Sequence, residues 1–340
     1  MDRKIFIVAL IVTTVVLVNI NWQEASKADT YPGRPISVIV ASSPGGGSDL
    51  WARKISALME KELGVKFIVS NRPGGNGGIA ENLVWNSPHD GYTILASSET
   101  SMVFYVNGAS ARTVKDWDYL ICGGSPGVIA VLADSKFNTF EKFIQHNDKE
   151  NPISISNAGK GKLWHLKAVL AENFSKVPVL HISYRGSNPA IVALLSGEVD
   201  AISCSAGEIA PFIGSGKVIP IIISETYPFS FDGYGEVPPI TEYYPGVEKH
   251  MPMRQVLCML LPGDLPENVR KKLNAAFNTA VNTDDMLEFI KSQNASFIGL
   301  SGEPANEMAL KMESKLSWFI YDQKISSISP ETGGIIKYDN

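Results

Sequence analysis

The sequence predicts an α/β protein with parallel sheets divided between two domains. Three observations lead there. The chain has 340 residues, which at roughly 150 per domain is about two cores. Short β-rich apolar runs alternate along it with helix-like runs, the pattern of parallel α/β architecture. Glycine-rich segments sit where several of those strands pass into the next helix, the end of an α/β sheet at which ligands bind.

In chain order, the first element is an address rather than part of the fold. Met1-Asp2-Arg3-Lys4 precedes a largely apolar stretch of sixteen residues, 5–20. The small residues around Ser26-Lys27-Ala28 complete the layout of a secretory signal peptide over 1–28. As a helix the stretch reaches only about 24 Å, short of the ~30 Å hydrocarbon core. An uncleaved anchor is the alternative, because flanking residues would lengthen the span. No cysteine lies near the cleavage site to carry a lipid, and no later stretch reads as a membrane span. The protein is expected to work outside the cytoplasm, in the periplasm or an equivalent space.

Strands are expected at 36–43, 65–71, 92–98, 127–134, 152–157, 181–184, 200–205, 218–224 and 255–261. Helices are expected at 48–63, 139–147, 162–174, 188–196, 267–282 and 303–320. In the first helix Leu50, Trp51, Ile55, Leu58, Met59 and Leu63 share one face, with Ser48 placed as N-cap. Segment 226–254 is rich in Pro, Tyr and Gly without a clear period, and reads as a long irregular connection. The tail after Tyr321 is polar and is expected to fray.

Composition excludes several classes. An apolar fraction of 44% rules out a disordered chain. Thirty basic against thirty-five acidic residues give a net charge of -5 with no long run of either sign. Removing 1–28 takes away three basic and two acidic residues, so -5 becomes -6. Nucleic acid is therefore excluded as a partner, since neutralising phosphates needs a clustered basic face. Cys122, Cys204 and Cys258 are odd in number and far apart, which leaves no disulfide framework and no CxxC pair.

The chemistry gathers at strand ends. SSPGGGSDL, 42–50, lies between a strand and a helix. Gly45, Gly46 and Gly47 allow a sharp turn with uncovered N–H groups, and the helix start adds unpaired donors and a partial positive charge. Together with Ser42, Ser43 and Ser48 they suit an anionic oxygen, although a tight turn needs the same glycines without any ligand. The segment is neither GxxxxGK(S/T) nor GxGxxG. Asp49 is expected to stabilise the first helical turn. SNRPGGNGGIAEN, 70–82, repeats the arrangement with Asn71, Gly74, Gly75 and Asn76, and SSETS, 97–101, adds Ser97, Ser98 and Thr100. A second set follows: SNAGKGKLWHL with Gly159, Gly161 and Lys162, SYRGSNPA with Tyr184, Gly186 and Ser187, and DAISCSAGE with Ser203 and Ser205. Each alone reads as turn chemistry; the first three in succession point to a site at the strand ends, and the later ones make a second set on what reads as a second domain.

Taken together, PGRPISVIVASSPGGGSDLWAR, NRPGGNGGIA, PHDGYTIL, GKGKLWHL, YRGSNPA and LLSGEVDA resemble the extracytoplasmic solute receptors of tripartite tricarboxylate transporters, the Bug/TctC-type proteins. The resemblance spans about Tyr31 to Leu316. It implies a type II periplasmic binding protein fold, in which two α/β lobes joined by crossing strands close on a small ligand. It also implies a carboxylate ligand, possible di- or tricarboxylates among them, delivery to the membrane permease subunits, no cofactor, and a monomer. Loops Ser42–Asp49, Asn71–Asn76 and Ser97–Thr100 would form one wall, and Gly159–Lys162, Tyr184–Ser187 and Ser203–Ser205 the other. Lobe one is expected at 31–125 plus 250–321, lobe two at 126–249, and a tail at 322–340, with hinges near Gly123–Gly127 and 225–255.

Two departures bear on the ligand. The family's bulky Phe before the first glycine loop is replaced by Ala41-Ser42-Ser43, and a usual Ser at the second lobe's helix start is Lys162. A charge-assisted bond contributes ~1.5–3 kcal/mol against ~0.5–1.5 for a neutral one, so a ligand-facing Lys162 favours a more anionic ligand. Two placements of Lys162 stay open here, toward ligand or toward solvent. Tyr184 and Arg185 are the next side-chain candidates, Trp164 stands near the site, and Arg53 and Arg72 are expected to be structural. An enzyme has little support: His89, His146, His165, His181 and His250 form no HExxH, metal ligation is not expected, and there is no GxSxG. A sensor presenting its bound state to a membrane kinase would use the same fold, and an α/β enzyme acting on a small acid would use the same crevice.

Overall fold

The computed structural model describes residues 31–251 and 253–338. The expected signal peptide lies outside the described residues. Two mixed sheets, each flanked by helices, make up the two lobes.

The first lobe begins with β1 (Ile36–Val40), whose ISVIV sequence is nearly all apolar and almost wholly buried, as a parallel strand covered on both faces requires. Helix α1 (Gly47–Leu63) follows, then β2 (Phe67–Asn71), α2 (Gly78–Trp85) and β3 (Thr93–Ser98). Strand β1 pairs in parallel with both β2 and β3. Trp51, Ile55, Leu58 and Met59 bury the inner face of α1, whereas Leu50 is exposed. The helix starts one residue earlier than expected, with Gly46 rather than Ser48 at the N-cap. It stops at Gly64, whose left-handed backbone (φ 69°) turns its N–H back to the Glu60 carbonyl.

Strand β4 (Trp117–Gly124) then leads across to β5 (Gly127–Leu132) in the second sheet. There follow α3 (Phe140–Ile144), β6 (Ile153–Asn157), α4 (Leu163–Ser175), β7 (Val179–Ser183), α5 (Ser187–Leu195), β8 (Ala201–Ser205), α6 (Ala206–Gly214) and β9 (Val218–Ile223). The spatial order is β7-β6-β8-β5-β9. A short hairpin of β10 (Phe229–Phe231) and β11 (Gly235–Val237) lies in the return segment that the sequence left without structure. The chain re-enters the first sheet as β12 (Leu257–Pro262) and ends with α7 (Glu267–Val281), α8 (Asp284–Ser292), β13 (Ser296–Ser301) and α9 (Glu303–Asp322). The first sheet runs β13-β4-β12-β3-β1-β2.

Neither sheet is purely parallel, which corrects the sequence expectation. Strand β12 runs antiparallel to β3 and β4, and β5 antiparallel to β8 and β9. These are the strands by which the chain crosses between lobes, and each enters its new sheet from the opposite end. At the crossing, a Cβ on Gly124 would lie 2.0 Å from the Gln255 carbonyl oxygen, so the two segments approach as closely as only glycine permits. Ser125 N–H donates to Gln255 Oε1 at 2.8 Å, and Gly127 N–H to Glu225 Oε1 at 3.0 Å.

The tail does not fray through 338. Pro330 and Ile335 are buried, Trp318 Nε1 donates to the Ile335 carbonyl, and Tyr105 OH donates to Thr332 Oγ1 at 3.0 Å. Two apolar anchors inside a polar stretch suffice to hold it on α9 and the 99–108 turn. No helix among the described residues is long and apolar enough to cross a membrane.

Candidate ligand-binding cleft

A cleft of about 900 Å³ lies between the lobes, at the ends of β1, β3, β6 and β7 and the starts of the helices that follow. Of the residues singled out from sequence, the structure brings Ser42, Ser43, Gly46, Gly47, Ser48, Gly74, Gly75, Asn76, Ser97, Ser98, Thr100, Gly159, Lys162, Tyr184, Gly186 and Ser187 to its lining. Gly45, Asn71, Gly161, Ser203 and Ser205 are not among the lining residues, and each has a local reason.

Gly45 and Asn71 build the first loop. The buried Asp49 accepts from Gly45 N–H (2.9 Å), Asn71 Nδ2 (2.9 Å) and Arg53 Nε (3.0 Å). Asn71 Nδ2 also donates to the Ser42 carbonyl at 3.0 Å. Burial pulls the Asp49 pKa upward, but the hydrogen bonds from Arg53, Gly45 and Asn71 outweigh it and hold the carboxyl below its usual range. This bracing fixes the glycine turn, and Gly46, Gly47 and Ser48 at the α1 start line the cleft. The Ser42 hydroxyl lies in this wall with no hydrogen-bond partner among the described residues.

Gly161 seals the edge between the lobes. Its N–H donates to His165 Nδ1 at 3.2 Å, and its carbonyl accepts from Asn107 Nδ2 of the first lobe at 3.2 Å. A Cβ there would stand 2.7 Å from Asn107 Oδ1, on a backbone already at φ 75°. Ser203 is buried inside β8, and Ser205 caps α6, accepting from Glu208 N–H and donating to Glu208 Oε2 at 2.7 Å.

The charged groups decide what the cleft can hold. Lys162 occupies the N-cap of α4 and is among the residues that line the cleft. Burial lowers its pKa, and attraction to Glu99 partly offsets that. Glu99 follows β3 directly, accepts from Val256 N–H at 3.1 Å, and is pushed up to about 7 by burial. Glu208 lies opposite the α1 start; burial raises its pKa, against hydrogen bonds from Ser205, Ser187 and the Gly47 amide that favour the ion. The Tyr184 hydroxyl is taken by Glu198 at 2.7 Å, which leaves its ring as wall.

Glu99, Glu208 and Gln255 line the cleft and were not picked out from sequence. The Ser205-x-x-Glu208 spacing, a capping signature, would have revealed α6 and with it Glu208. No group of three or more His, Cys, Asp or Glu suited to a metal occurs among the described residues. His165, pushed down to about 4 mainly by burial, packs at 5.0 Å against His181, whose Nε2 pairs with Glu172 at 2.8 Å.

Comparison with known proteins follows the same lines. The profile described as "Tripartite tricarboxylate transporter family receptor" matches residues 51–315, most of the chain. The chain belongs to this family. A "UPF0065 protein in tcbD-tcbE intergenic region" of Pseudomonas sp. (strain P51) is 31% identical over 78% of this chain and 80% of its own. A solved TctC solute binding protein from Polaromonas is 26% identical, with a TM-score of 0.67 over 86% of this chain and all of that one. MatC from Rhodopseudomonas palustris, solved with bound malate, has a TM-score of 0.72 over 85% of this chain and 100% of its own, at 22% identity. The tripartite tricarboxylate transporter receptors are extracytoplasmic substrate-binding proteins rather than enzymes, and this chain has their two-lobed α/β fold.

Proposed function

We propose that this receptor captures a small carboxylate by closing its lobes, and delivers it to a tripartite tricarboxylate transporter permease after export on the segment 1–28. The observation that carries this reading is the convergence of amide-rich loops from both sheets on one cleft with Lys162 at its wall. Helix starts at α1 and α5, neither capped by its own N-cap side chain, offer N–H donors and partial positive charge to an anionic oxygen. Fixed backbone donors lose little conformational entropy on binding. A malate-bound structural neighbour agrees with a carboxylate ligand.

Lobe one comprises 31–125 and 250–321 and, given its packing on α9, the tail to 338; lobe two comprises 126–249. Closure needs a ligand that contacts both walls and so favours the closed form by a few kcal/mol. The test is mass spectrometry of co-purifying acids followed by thermal-shift titration with a carboxylate panel. A small acid that raises the melting temperature supports the reading, and a panel without effect removes it.

A further inference from the structure

The amide-rich starts of α1 and α5 were expected to hold the carboxylate of a ligand. In the structure a carboxylate of the protein itself faces them. Glu208, in the first turn of α6, lines the cleft together with Gly46, Gly47 and Ser48 at the start of α1 and Ser187 at the start of α5. Its Oε2 accepts from Ser205 Oγ at 2.7 Å, which holds the side chain in this direction. Burial raises the Glu208 pKa, while the Ser187 hydroxyl and the Gly47 amide, the latter on the opposite lobe, favour its ionised form. A carboxylate at the positive end of α1 uses the donors and the local potential that a second anionic group would need.

Lys162 supplies a partly buried ammonium to the same cleft, with Ser98 and Thr100 also in its lining. Glu99 beneath them adds another protein carboxyl, its Oε2 taken up by Val256 N–H.

We propose that Glu208 fills the carboxylate seat at the start of α1 and so selects a ligand with one carboxylate, held by Lys162, and a hydrogen-bond donor facing Glu208. The inference rests on the reading of the cleft as a carboxylate site and specifies which carboxylates enter it. A dicarboxylate sets its second charge against Glu208 in a partly desolvated space, where like charges repel strongly. An amide, hydroxyl or ammonium at that end converts the same contact into a hydrogen bond to a charged acceptor. The selection therefore works by repulsion as much as by attraction.

The test is calorimetric titration of the mature protein with succinate, glutarate and adipate, each beside its isosteric monoamide. For the chain length that fits, the monoamide is expected to bind at least about tenfold tighter than the diacid, a difference of about 1.4 kcal/mol. In Glu208→Gln, which retains an acceptor for Ser205, the order is expected to reverse; in Glu208→Asp, which retains the charge, the monoamide preference stays. Should the glutamine variant fail to fold, the unmodified protein and the aspartate variant still decide. A diacid that binds the unmodified protein as well as its monoamide, or a preference unchanged in Glu208→Gln, overturns the selection while leaving the carboxylate receptor in place. If none of the six acids binds, the carboxylate reading fails and the selection falls with it.

Discussion

Lys167 Nζ lies 2.6 Å from Glu225 Oε1, and both side chains are buried beside the segments that cross between the lobes. Lys167 also donates to the Ser224 carbonyl, and the same Glu225 oxygen accepts from Gly127 N–H. The pair thus ties α4 to both crossings, one before β5 and one after β9. Lys167→Met would leave a buried carboxylate without its cation, at a cost of about 3–5 kcal/mol. Adding Glu225→Gln is expected to recover most of that loss. Urea denaturation of the single and double variants measures both, and an additive double variant would show that the two groups act separately.

Asp49 gives a prediction that depends on acid. Its carboxyl sits below the usual range in the fold, so its contribution is present above the ordinary aspartate value near ~3.9 and disappears as pH falls through the folded value. Asp49→Asn is expected to destabilise by about 1.5–3 kcal/mol at pH 7, the worth of hydrogen bonds to a charged group. The gap between variant and parent should close toward pH 3. Thermal melts across that range would reveal a constant gap if the charge were irrelevant.

Glu313 works the other way. Buried on α9, it accepts from Val114 N–H at 2.9 Å and is pushed up to about 7. The folded state keeps a proton that the unfolded chain releases near its ordinary value of ~4.3, so stability falls as pH rises between those limits. Glu313→Gln has no proton to lose. Its melting temperature relative to the parent should climb from pH 5 to pH 8, and a flat difference would contradict the burial argument.

Lys162→Ser replaces a charge-assisted contact by a neutral one and is expected to weaken binding of the preferred carboxylate by roughly tenfold, from the difference between ~1.5–3 and ~0.5–1.5 kcal/mol. Calorimetry at two salt concentrations adds a second readout. The salt dependence of binding should shrink with the ammonium gone.

The strand-to-helix glycine loops were legible because glycine and hydroxyl residues after an apolar run have few local alternatives. That is why most of the expected lining residues reach one cleft. The misses have physical causes. Strand β4 ends in the Cys122-Gly123-Gly124 run and was absorbed into the hinge, and α6 hides behind Pro211 inside the helix. Strand β13 is half-exposed and broken in register near Gly299, so its alternation is weak. Glu99 and Glu208 were overlooked because an isolated acid after a strand reads as a helix-start stabiliser. Only their position opposite Lys162 and Gly47 gives them a role in the cleft. Ser203 and Asn71 show the converse, polar residues at the right place in sequence whose side chains turn into the wall.

The position of β12 between β3 and β4 bears on the order of assembly. All five strands of the second sheet come from one unbroken stretch, 127–223. The first sheet has a gap at its middle until Pro262 has been made, and until then β3 and β4 each present an unpaired edge. Contacts that span so much chain form slowly. During synthesis, the lobe encoded second is the first that is able to finish its sheet.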